Sequence, residues 1–159
     1  VVAQDLSVLV NVQNGTGKMM DEAEIGSVYQ VSFPTAEQEV QRWIDLNLSS
    51  FDLYDSTEYF KLRIFNCGET VTLQAQVSNE DSASTFRTFK QDCSNERKDF
   101  AITLQPGWNT IEMNVWGMVG KIDNGNYING RYGKIHTLRL IADAEIELTL
   151  GIANLILEA

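Results

Sequence analysis

The sequence predicts an all-β protein, an antiparallel β-sandwich folded as one domain over residues 1–159. Three observations predict it. Apolar side chains recur at every second position, turn signals separate these runs at short intervals, and only residues 34–41 read as a helical turn. In that turn Thr35 is placed to cap and Gln38 follows three residues later.

The elements follow in order. Tyr29, Val31 and Phe33 share one parity. Ile44, Leu46 and Leu48 share the next, with Trp43 out of phase as either a ligand platform or an edge cover. Phe60, Leu62 and Ile64 alternate with Tyr59, Lys61, Arg63 and Phe65; Val71, Leu73, Ala75 and Val77 alternate with Thr72, Gln74 and Gln76. Phe100, Ile102 and Leu104 come next, then Ile111, Met113 and Val115. Leu138 with Leu140, and Ile146 with Leu148, Leu150 and Ile152, complete the set. Period-two strings bury one face of each strand, and about ten such strands with short connections make a sandwich. Turns fall at residues 66–69, 78–82, 92–96 and 105–107. Two segments break the rhythm: residues 14–24, and the glycine-, asparagine- and tyrosine-rich residues 117–133. The second is expected to have little regular structure and to lie at one end or edge of the sandwich, where such long connections often carry function.

Composition narrows the partners. With 22 acidic against 12 basic residues the formal net charge is -10, which repels phosphate backbones, anionic membranes and acidic glycans but not neutral ones. No apolar run reaches the roughly 20 residues of a membrane helix, and residues 1–12 lack the basic start of a signal peptide. Cys67 and Cys93 sit in turn-like contexts and are expected to lie within bonding distance; two free thiols are the alternative. A single histidine, His136, and the absence of a CxxC argue against zinc or thiol-redox chemistry. Parity places His136 partly buried near a strand start.

The outward faces hold the candidate site. Arg63, Gln74, Gln76, Asn114 and Arg139 oppose the apolar set on their own strands, and so does Trp116 at the mouth of the 117–133 segment. Aromatic rings beside Arg and planar amides suit a sugar, whose C–H faces stack and whose hydroxyls take paired hydrogen bonds. Trp116 is the expected platform, flanked by Tyr127 or Tyr132; burial of Trp116 under its own loop is the alternative. Trp108, after Pro106-Gly107, reads as a structural plug. Glu112, Glu145 and Glu147 face outward and would have to pair for glycoside hydrolysis, but solvated acidic side chains are the usual outcome on such faces. Tyr59, Lys61, Arg63 and Arg139 would suit a lyase, against the net acidic charge. Residues 123–126 are similar to a calcium loop without EF-hand spacing, and a plain Asn-Gly turn is the favoured reading of them.

The run Glu58-Tyr59-Phe60-Lys61-Leu62-Arg63-Ile64-Phe65-Asn66 precedes Gln105-Pro106-Gly107-Trp108-Asn109-Thr110-Ile111. Then come Thr137-Leu138-Arg139-Leu140 and Gly151-Ile152-Ala153-Asn154-Leu155. Over about residues 58–157 this resembles the galactose-binding-like jelly rolls found as carbohydrate-binding modules of bacterial glycoside hydrolases. The resemblance implies a jelly roll without catalysis. It also implies secretion or surface display, covalent attachment to a larger polypeptide, polysaccharide or oligosaccharide as ligand, and no required cofactor. It further implies a structural calcium ion, although the closing strand has Asn154 where such domains often carry Asp. A protein-binding surface or scaffold sandwich using the same aromatics is the competing expectation, and a glycosidase using a Glu pair a weaker one.

Overall fold

The computed structural model describes residues 9–22, 26–35, 40–51, 59–80, 82–88, 101–114, 119–121, 127–129, 135–143 and 147–158. Their strands are β1 (Val10–Gln13), β2 (Thr16–Glu22), β3 (Gly26–Phe33), β4 (Arg42–Asn47), β5 (Tyr59–Asn66), β6 (Val71–Asn79) and β7 (Ser82–Thr88). Then come β8 (Ala101–Leu104), β9 (Gly107–Asn114), β10 (Val119–Lys121), β11 (Tyr127–Asn129), β12 (Ile135–Ala142) and β13 (Leu148–Glu158). The front sheet runs β1-β4-β12-β6-β7, and β8 continues the same edge by pairing with the first half of β6. The back sheet runs β2-β3-β13-β5-β9, with every pair antiparallel. The inward residues of both sheets, among them Ile44, Leu73, Leu138 and Leu140 in front and Val31, Leu62, Ile64 and Leu150 behind, form one buried cluster. This is the predicted all-β sandwich.

Two expectations change. Residues 14–24 are not an interruption: they contain β2, which pairs along its whole length with β3. The pattern was hidden because β2 is a polar edge strand with glycine at its start. A Cβ on Gly17 would stand 2.5 Å from the Tyr29 ring, so a side chain there would displace the ring that lies across the strand. Within residues 117–133, the described parts are regular rather than open. β10 and β11 pair antiparallel as a two-stranded sheet, and β10 lies against β7 at the front-sheet edge.

The turns show why their residues are what they are. Buried Asn66 donates from Nδ2 to the carbonyls of Glu69 and Leu104 and accepts the Gly68 N–H on Oδ1. Asn109 closes the Gln105–Gly107 turn in the same manner, accepting the Gln105 N–H at 2.9 Å and donating to the carbonyls of Gln105 and Gly107. Gly107 has φ +91°, a conformation costly for any side chain. Gly107→Ala is therefore expected to lower unfolding free energy by about 1–2 kcal/mol. Urea denaturation reads this, and an unchanged midpoint would contradict it. At the start of β4, buried Arg42 donates to the Pro34 carbonyl and lies 5.3 Å from the Phe33 ring centroid. Burial pushes its guanidinium down from the ordinary value, while Asp143 raises it.

Candidate glycan-binding face

The front sheet presents its outer face in rows fixed by strand register. One row reads Asn11, Asp45, Arg139, Gln76 and Thr88 across β1, β4, β12, β6 and β7. The next reads Gln13, Trp43, Ile141, Gln74 and Ala101, ending on β8. Each of these strands turns its apolar alternate inward, so the core itself forces Trp43, Asp45, Arg139, Gln74 and Gln76 outward.

Arg139 is the centre of the face. Its Nε and Nη2 donate to the two carboxylate oxygens of Asp45 at 2.8 and 3.0 Å. The same guanidinium lies 3.8 Å from the Trp43 ring centroid and 3.6 Å from that of Phe86. A planar cation is thus held between two rings and locked in its plane by a bidentate carboxylate. Gln74 is exposed and Gln76 half-buried, and among the described residues their side-chain amides carry no hydrogen bond. Thr72 and Thr103 share a hydroxyl contact of 3.1 Å farther along β6 and β8.

The structure brings together Arg139, Gln74 and Gln76 on this face, whereas Arg63 and Asn114, expected beside them, stand on strands of the other sheet. Arg63 lies on β5 and Asn114 on β9, both in the back sheet. There Arg63 stands 4.2 Å over the Trp108 ring, and Phe65 meets Trp108 edge-on at 5.3 Å. Trp108 therefore covers β5 on the outside of the back sheet. Tyr127 begins β11, opposite Lys121. Trp116, Tyr132 and Cys93 lie outside the described residues, while Cys67 is exposed just beyond β5. His136 is half-buried with Nδ1 2.7 Å from the Thr137 hydroxyl, as its place near a strand start implied.

Phe86 and Asp45 join the site without standing out in the sequence. Phe86 is the lone aromatic of a Ser/Thr-rich strand, and Asp45 shares the parity of Trp43; both signals were present but weak. At one end of the sandwich, away from this stack, a cleft of about 490 Å3 is lined by Cys67–Val71 and Glu147–Thr149. Glu147 lies in that cleft whereas Glu112 is on β9 opposite Lys61, so these two carboxylates are on different elements. Among the described residues no group of three or more His, Cys, Asp or Glu is placed to hold a metal ion, and Asn154 of the closing strand is in register with Arg63. Residues 123–126 lie outside the described residues.

No family model matches the sequence, and no curated protein does. Solved structures do. The family 11 carbohydrate-binding module from Clostridium thermocellum, in complex with a β-1,3-1,4-mixed-linked tetrasaccharide, superposes with a TM-score of 0.52 at 14% identity, over 92% of this chain and 81% of that one. The CBM22-1 xylan-binding domain from Paenibacillus barcinonensis gives 0.57 at 7% identity, over 98% and 88%. An exo-β-agarase gives 0.60 at 10% identity over 94% of this chain, which spans only 23% of the enzyme. The fold is the jelly-roll β-sandwich shared by carbohydrate-binding modules.

Proposed function

We infer that this chain is a non-catalytic module that binds a neutral polysaccharide or oligosaccharide on the outer face of its front sheet and targets an attached enzyme to it. One observation carries the reading: the Trp43–Arg139–Phe86 stack, flanked by the amides of Gln74 and Gln76 on an exposed sheet. Rings supply apolar contact for sugar C–H faces, the amides of Gln74 and Gln76 supply hydroxyl partners, and the Arg139 guanidinium supplies another that Asp45 already holds in place. The net charge of -10 favours an uncharged glycan. Trp116, flanked by Tyr127 or Tyr132, is proposed as a further stacking platform of the same site.

Covalent attachment to a larger protein and action outside the cell belong to the same proposal. The likeness to about a quarter of a longer agarase supports the first.

Affinity electrophoresis in gels containing soluble mixed-linkage β-glucan, xylan or galactomannan tests the function. The chain is expected to be retarded in at least one. Absence of retardation in all of them would overturn the reading, and release of reducing sugar would overturn the non-catalytic part. In the retarding gel, Trp116→Ala is expected to abolish binding with the circular dichroism spectrum unchanged. Unchanged retardation would remove Trp116 from the site, and an unfolded variant would make it a buried structural residue.

A further inference from the structure

We propose that Asp45 is a positioning and specificity-determining residue that makes the face selective for uncharged over acidic glycans; this rests on the glycan-binding reading above. The geometry has two parts. First, Asp45 fixes the plane of the Arg139 guanidinium through paired bonds of 2.8 and 3.0 Å. That plane is the one in which the guanidinium lies between Trp43 and Phe86, at 3.8 and 3.6 Å from their centroids. Asp45 therefore sets the position of the spacer between both rings without touching a ligand itself. Second, the bonds consume Nε and one side of Nη2. Among the described residues Nη1 carries no hydrogen bond, so it remains a donor for a ligand oxygen, next to Gln76 in the same row.

The charges decide which oxygen. Arg139 and Asp45 are only partly solvated, with side chains 17% and 19% exposed, and together they sum to zero. A hydroxyl gains a hydrogen bond from Nη1 at little cost. A carboxylate or sulfate gains the same bond, but the attraction of the cation is offset by Asp45 at contact distance and opposed by a chain of net charge -10. Removing the charge of Asp45 while keeping its shape reverses that balance. The guanidinium becomes a net cation, less firmly held in its plane.

Asp45→Asn is the test, in neutral-glycan gels and in gels containing polygalacturonate. The wild type is expected to be retarded by a neutral glycan and not by polygalacturonate. In Asp45→Asn, affinity for the neutral glycan should fall about tenfold or more, the usual loss for a broken charge-assisted bond. Retardation by polygalacturonate should appear, and added salt should suppress it. Asp45→Glu, which keeps the charge, should retain the neutral preference. A structural residue would not move two ligand classes in opposite directions. If Asp45→Asn keeps wild-type binding to the neutral glycan, or loses it with an early unfolding midpoint and no gain on polygalacturonate, the proposal is overturned while the glycan-binding function stands. If the wild type binds no neutral glycan, both fall together.

Discussion

Trp43→Ala is expected to reduce glycan affinity by at least about thirtyfold, a loss of about 2 kcal/mol or more, because a central aromatic anchor carries a disproportionate share of binding energy. Trp43 is half-buried on β4, second from the front-sheet edge, and forms one wall of the slot that holds Arg139. Its removal takes away apolar contact area and also frees the guanidinium on one side. The stability cost should be much smaller, about 1 kcal/mol, since the stack stands outside the core and Asp45 still holds Arg139. Titration with a retarding oligosaccharide, read by calorimetry, gives the first number and urea denaturation the second. Wild-type affinity in this variant would remove Trp43 from the binding surface.

The second large effect concerns the core. Leu140 has no exposed surface and sits in the central strand of the front sheet, in register with Ile44 on one side and Ala75 on the other. Ala75 is too small to fill a neighbouring void, so Leu140→Ala should leave a cavity and cost about 3–4 kcal/mol. Against a net stability on the order of 5–15 kcal/mol, that is a large fraction. The urea midpoint should fall with an unchanged denaturant slope. A loss below about 1 kcal/mol would mean that the two sheets close over the space.

Strand parity made most of the fold legible. Leu62 with Ile64, Leu73 with Ala75, and Leu138 with Leu140 point inward as alternation requires. Parity fails where a bulge resets it. The front-sheet register shifts between Ile135 and Thr137, so Ile135 and Leu138 both reach the core and Thr137 is buried opposite Ser78. A second shift between Ile152 and Asn154 sets Leu155 opposite Leu62, which a strict period of two over β13 does not give. The candidate site was legible by residue type but not by sheet. Arg63 and Arg139 both read as outward cations, yet one lies on the back and the other on the front, because strand order depends on pairings between distant segments. The ion pair of Asp45 with Arg139 spans 94 positions, and Phe86 joins it from a third strand, so no local pattern encodes the stack.

The strand order has a consequence for how the chain becomes a protein. The middle strand of the front sheet is β12 and that of the back sheet is β13, the last two strands in sequence. During synthesis from the N-terminus, both sheets therefore remain split into halves until residues 135–158 have left the ribosome. Until then β4 and β6 in front, and β3 and β5 behind, each present an open hydrogen-bonding edge beside uncovered apolar side chains. Closure comes as a late, long-range insertion of two strands, a slow step by topology. The nascent chain is most exposed to misassociation in that interval.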